Sequence, residues 1–227
     1  MAKENILAFV IILSLLLFPG TGFGFKKIQT TQHIIVIDPG HGGSNQGLVS
    51  SGGLKEKIIT AKLARKIARD LESRYNILMT RTGDNDISAR DRIFIANKNH
   101  ADLYLSIHLN RSNEPAGFFY YFDPPEHHEY PVSGSKSSWK SQPFIHQAGS
   151  KKATNAFLKI FSANKKTSRF YIEGAPVMLL EGATMPAILI EPLSISMLPQ
   201  YQDEMDNILE EYALLISKSI DLYFQKK

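Results

Sequence analysis

An α/β fold, with a largely parallel sheet covered by helices on both faces, is predicted by two features of this chain. Strand-like apolar runs alternate with amphipathic helical stretches from residue 33 onward. Within 101–110 the alternation is clean: Leu103, Leu105, Ile107 and Leu109 face one way, and Tyr104, Ser106, His108 and Asn110 the other.

The elements follow in order. His33 to Asp38 is apolar and reads as the first strand, ending in the turn Pro39-Gly40-His41-Gly42-Gly43. Residues 44–53 are rich in Gly and Ser and read as a loop. Leu54 to Ser73 reads as a helix, with Ile59, Leu63, Ile67 and Leu71 at i, i+4 spacing. Asn76 to Arg81 reads as a short strand, and Ser88-x-x-Asp91 as a capping box starting a helix through Asn97. Strands follow at 101–110 and 117–123, the second stopped by Pro124 and Pro125. A loop extends to about Ile145, then a helix over 147–165. Ala175 to Leu180 and Ala187 to Glu191 read as strands, and Gln200 to Phe224 as a closing helix.

The amino terminus reads as targeting. Lys3 precedes an apolar run from Ile6 to Phe18, and Pro19, Gly20, Thr21, Gly22 and Gly24 follow. The run is shorter than the ~20 residues that comfortably span a bilayer. This predicts a signal peptide, or an uncleaved membrane anchor, over 1–24 and one exported domain over 25–227. A hydrophobic fraction of 43% suits a substantial core. The absence of cysteine excludes disulfides, thiolate metal sites and a thiol nucleophile. A net charge of +4 without a long basic block gives nucleic acid little support as a partner.

Four residues stand where chemistry is done. His41 follows the carboxyl end of the first strand, where ligands of open α/β sheets bind. His108 lies near the end of another strand, on its polar side. Glu56 continues the apolar stripe of Ile59, Leu63 and Ile67 into the first helical turn. A carboxylate facing the core must be paired or bind a metal, although a first-turn Glu is also favoured by the helix dipole. Two His and one Glu match the ligand set of a catalytic zinc, with Asp38 and Asn110 as candidates to orient those ligands. Glu191 ends an apolar strand and suits a general base or acid.

These segments resemble the zinc-dependent N-acetylmuramoyl-L-alanine amidases of bacterial cell walls, of the amidase-3 type. The resemblance is carried by Ile35 to Gly43 (IVIDPGHGG), Leu54 to Lys57, Met79 to Asp84, Arg92 to Asn97, Ala101 to Asn110, Gly117 to Phe122 and Met185 to Glu191, in family order. It implies a three-layer fold with a twisted, mostly parallel sheet. It implies a zinc ion (Zn2+) held by His41, Glu56 and His108, with Glu191 as the catalytic glutamate. The implied reaction is hydrolysis of the amide between N-acetylmuramic acid and L-alanine in peptidoglycan. The implied location is the periplasm or cell envelope, with membrane contact only through an uncleaved amino-terminal segment. An activator protein is the other partner the family reading leaves open.

Two segments depart from the family pattern. Where the family runs into a Gly-Phe-Leu-Ser-Asn-like turn, this chain has Pro192-Leu193-Ser194-Ile195-Ser196 after Glu191. Pro192 lacks a backbone donor and restricts φ beside the proposed base, so a catalytically weakened peptidoglycan-binding or regulatory module is the alternative function. A peptidase on the same scaffold is a weaker rival. The segment 123–145, with His127, His128 and Trp139, reads as a substrate-side or partner-binding loop rather than an inhibitory plug. Arg81 and Arg92 are expected to pair with structural carboxylates, with the acidic groups of the stem peptide as the other candidate partners.

Overall fold

A computed structural model describes residues 32–123, 139–164 and 169–225, all within the compact unit that begins at Gln32. The predicted targeting segment and His127 and His128 lie outside the described residues. Among the described residues no helix is long and apolar enough to cross a membrane.

Among the described residues there are six strands and five α-helices. They are β1 (Ile34–Pro39), α1 (Glu56–Leu71), β2 (Asn76–Met79), α2 (Ala89–Lys98), β3 (Leu103–Ile107), β4 (Ala116–Phe122), α3 (Gln142–Ile145), α4 (Gln147–Ala163), β5 (Arg169–Ala175), β6 (Ala187–Glu191) and α5 (Gln202–Phe224). The sheet order is β2-β1-β3-β6-β4-β5. The first four strands in that order are mutually parallel. β4 runs antiparallel to β6 and parallel to β5, so the last two strands form a reversed flap on a parallel sheet.

Both faces of the sheet are covered. On one face α1 and α4 pack on α5, and Ile59, Leu63 and Ile67 meet Leu103, Leu105, Ile188 and Phe157 in the larger core. On the other, Ile93 and Ala96 of α2 join Val36, Tyr104, Leu180 and Leu189. Covering both faces buries every residue of β3, including Tyr104 and Ser106 on its polar side. Those polar groups are satisfied internally: Tyr104 Oη and Ser106 Oγ each donate to Asp38 Oδ2 at 2.8 Å.

Several boundaries differ from the sequence reading. The strand expected at 175–180 is a short 3-10 turn, Met178–Leu180. Pro176 has no donor for a ladder, and Val177 N folds back onto Ala175 O at 2.8 Å. The strand lies earlier, as β5, where Phe170 and Ile172 alternate with Arg169, Tyr171 and Glu173. The end of the expected loop, 139–145, is helical. The helix cap is as expected: Ser88 Oγ accepts from Asp91 N at 3.1 Å.

Asp38 is the polar centre of the sheet. It is fully buried and pairs with Arg92 Nη1 at 2.6 Å, while Thr80 Oγ1 donates to it as well. Burial pushes its carboxyl up, but the Arg92 charge and the donors from Thr80, Arg92 and Ser106 outweigh that and hold it below its ordinary value. A depressed carboxyl contributes stability above the ordinary carboxylate range and loses it as pH falls through the folded value. Asp38→Asn, which leaves the Arg92 charge buried, should lower unfolding stability by about 3–5 kcal/mol near neutrality. The difference in urea midpoint between the two proteins should narrow on acidification; a gap that stays constant with pH would disprove the assignment.

Candidate metal centre

β1, β3 and β6 are neighbouring parallel strands, so their carboxyl ends emerge side by side. His41 lies two residues past β1, His108 one past β3, and Glu191 ends β6. Glu56 opens α1 and returns to the same edge, its position fixed by Glu56 N donating to Leu48 O at 2.8 Å.

Three of the four predicted residues touch. His41 Nε2 lies 3.1 Å from Glu56 Oε2. His108 Nδ1 lies 3.2 Å from Glu56 Oε1 and 3.2 Å from His41 Nε2. Ligand atoms from these three side chains lie within 4.8 Å of one another, a group able to hold a metal ion. A tetrahedral site with ~2.0–2.1 Å bonds has donor–donor edges of about 3.3 Å. The observed spacings fit that edge, and two imidazoles with one carboxylate are the donor chemistry of such a site.

The surroundings fix the donors. Leu48 N and Leu109 N donate to the two Glu56 oxygens at 2.7 and 2.9 Å. Burial raises the Glu56 carboxyl, but bonds from His108, His41, Leu48 and Leu109 overcome this and hold it far below the usual carboxylate range. Asn45 Oδ1 sits 3.0 Å from His41 Nδ1. An amide oxygen only accepts, so it selects the tautomer that leaves the Nε2 lone pair facing Glu56 and His108. His108 Nε2 is buried without a hydrogen-bond partner, so its ring is oriented by packing. A Cβ on Gly40 would fall 2.5–2.7 Å from three atoms of that ring.

The turn that carries His41 is strained and clamped. His41 has φ 61, a region that costs non-glycine residues energy unless the surroundings enforce it. Arg92 Nη2 donates to His41 O at 2.8 Å. Arg81 Nε and Arg92 Nη1 donate to Pro39 O at 3.0 and 2.9 Å, and Arg81 Nη2 to Gly40 O at 2.8 Å. Arg92 thus pairs with a structural carboxylate as expected, whereas Arg81 is spent on backbone carbonyls.

Glu191 stands beside this group, half-buried. Burial first, then repulsion from Glu56 and Glu173, pushes its carboxyl up to about 7. Asp38 and Asn110 do not touch the three converging side chains. Asp38 acts through Arg92, and Asn110 Nδ2 donates to Ala116 O at 2.9 Å and Glu191 O at 3.2 Å, tying the end of β6 to the start of β4. Sequence reasoning missed Asn45 and the arginine clamp; the glycine-rich turn signalled that the backbone needed outside support.

Comparison with known proteins identifies the family. Residues 35–213 match the amidase-3 family, described as N-acetylmuramoyl-L-alanine amidase. The chain is 34% identical over 160 residues to a sporulation-specific N-acetylmuramoyl-L-alanine amidase of Bacillus subtilis (strain 168), covering 69% of this chain and 54% of that one. It is 31% identical over 165 residues to an endolysin of Bacillus phage SPP1, covering 71% and 55%. The chain thus spans about half the length of these curated relatives. The crystal structure of an N-acetylmuramoyl-L-alanine amidase from Clostridium difficile 630 superposes with a TM-score of 0.66 at 25% identity, over 87% of this chain and 100% of that one.

Because the added Cβ has no room beside His108, Gly40→Ala should weaken divalent-cation uptake at least tenfold. Competition against a chromophoric chelator measures this. Unaltered affinity would show that the ring does not depend on the glycine.

Proposed function

The chain belongs to the N-acetylmuramoyl-L-alanine amidase family of the amidase-3 type, and from that premise we propose that it hydrolyses the amide joining N-acetylmuramic acid to L-alanine in peptidoglycan, using a zinc ion held by His41, Glu56 and His108. The observation that carries this reading is the convergence of two imidazoles and a carboxylate at 3.1–3.2 Å with a second acidic residue, Glu191, on the adjoining strand end.

Each residue has a task in this reading. When bound, zinc supplies Lewis acidity, acidifying water toward a pKa of ~7 and polarising a carbonyl. His41, Glu56 and His108 present their donor atoms already aimed, the first through Asn45 and the second through two backbone donors. Glu191 takes the proton of the attacking water and returns it to the departing alanine nitrogen. Burial of this carboxyl favours its uptake of a proton, which suits a group that must accept one and then give it back. Asn110 holds the backbone of Glu191 in place through its carbonyl.

The Pro192 turn is compatible with this role. Asn110 N donates to Leu193 O at 3.0 Å, and Ser112 N and Ser196 N both donate to Ser194 Oγ. These bonds fasten the turn without a donor from residue 192. We further propose that residues 1–24 direct export, which brings the domain to its substrate. Activity of the purified chain alone, against activity restored only by envelope extract, separates self-sufficiency from dependence on an activator protein.

The test is release of stem peptides from purified peptidoglycan. Glu191→Gln should lower the rate by about 10²–10⁴ while zinc content, read by elemental analysis, stays at the wild-type level. Chelation should abolish release, and added zinc should restore it. Full activity in the variant would remove Glu191 from the mechanism. Binding to sacculi with no release by the wild type would favour the non-catalytic module.

A further inference from the structure

We propose that Tyr171, backed by Phe118, stacks against a sugar ring of the glycan strand beside the scissile amide, an assignment that rests on the amidase reading above.

The strand pairing lays out the geometry. Ile107 of β3 pairs with Ile190 of β6, and His108 N donates to Ile190 O at 2.9 Å, so His108 and Glu191 are next in register. Glu191 lies directly opposite Phe118 in the antiparallel β6–β4 pair. Phe118 pairs with Tyr171 in the parallel β4–β5 pair. Residues directly opposite one another share a face of the sheet. Glu191, Phe118 and Tyr171 therefore form one row, each about 4.8 Å from the next, leading from the metal-binding group toward the open edge of the sheet at β5.

The rings stack on one another. The Phe118 and Tyr171 centroids are 5.5 Å apart with 21° between planes, and Tyr120 continues the stack at 6.2 Å and 18° from Phe118. Tyr171 is 41% exposed. Its ring adjoins those of Phe118 and Tyr120, and a contiguous apolar patch, unlike a single exposed ring, marks a binding surface. The rings floor a cleft of about 460 Å³ whose rim carries Ser112, Glu114, Arg169 and Glu173. That is the scale of a small-molecule subsite.

Chemistry selects the sugar over the stem peptide. A pyranose presents a face of C–H bonds that suits the electron-rich face of a ring, and its hydroxyl and acetamido groups reach the polar rim. Glu114 and Glu173 line the cleft with Arg169 as its one cation. A stem peptide, which carries free carboxylates, is repelled there, whereas an uncharged saccharide is not.

The experiment uses the whole chain and N-acetylglucosamine tetramer as a probe that contains no scissile amide, with affinity read by calorimetry. Wild-type binding should weaken at least tenfold in Tyr171→Ala and recover in Tyr171→Trp. On glycan-extended muramoyl peptides, Tyr171→Ala should raise KM by a similar factor with kcat little changed. No saccharide affinity in the wild type, or unchanged affinity in Tyr171→Ala, overturns the stacking role. Affinity for a free stem peptide that falls in Tyr171→Ala in place of saccharide affinity also overturns it. Peptidoglycan hydrolysis without saccharide binding defeats the stacking role alone; saccharide binding without hydrolysis defeats the amidase reading alone.

Discussion

The site depends on how three consecutive carbonyls are satisfied. At the end of β1 the chain leaves the ladder, and the carbonyls of Pro39, Gly40 and His41 lose regular sheet partners. Two arginines that are 5% and 4% exposed supply the missing donors. Buried unpaired carbonyls would cost about 1–3 kcal/mol each, enough to let the turn relax out of the left-handed conformation at His41. The clamp brings its own problem, since two buried guanidiniums face one buried carboxylate, Asp38. Burial and then repulsion from Arg92 lower the Arg81 pKa, with Asp38 and Asp84 opposing the shift. Asp38 is therefore the counterion on which the clamp, the turn and the aim of His41 all rest.

The reversed flap gives the sheet a second use. Helix α4 lies in the crossover between the parallel strands β4 and β5, and β4 meets β6 in the opposite sense. The antiparallel pairing sets Phe118 opposite Glu191, and β5 continues that row to the edge of the sheet. The parallel half of the sheet thus delivers polar groups from its strand ends, while the reversed half presents side chains from the face of its strands. A substrate with one polar junction and a flat uncharged arm fits such a surface.

Much of this was legible because the important residues sit at the ends of strongly patterned elements. His41 and His108 follow apolar strands, Glu191 ends one, and Glu56 interrupts a helical stripe that is otherwise apolar. What stayed hidden depends on partners distant in sequence. Arg81 and Arg92 looked like candidates for simple ion pairs, and nothing local to them reveals that they hold carbonyls some 40–50 residues away. The alternation of β3 shows that Tyr104 and Ser106 share a side but not what satisfies them, which is Asp38 on the neighbouring strand. The alternation of β5 is short and broken by Gly174, a residue disfavoured in strands, so the neighbouring apolar run at 175–180 drew the assignment instead.

Glu56 explains why the metal-binding group is ordered in advance. Its carboxylate is 1% exposed, and isolating such a charge from water would be prohibitive. Backbone donors from Leu48 and Leu109 approach its two oxygens from different segments, one from the loop after β1 and one from beyond β3. Those bonds form only when β1, α1 and β3 are all docked, so desolvation of the carboxylate is offset by folding itself rather than by ligand binding. The lone pairs that remain face His41 and His108, whose own orientations are set by Asn45 on one side and by the absence of a side chain at Gly40 on the other. A cation entering this group would find its donors already desolvated and directed, which shifts its binding free energy from reorganising the protein to forming bonds.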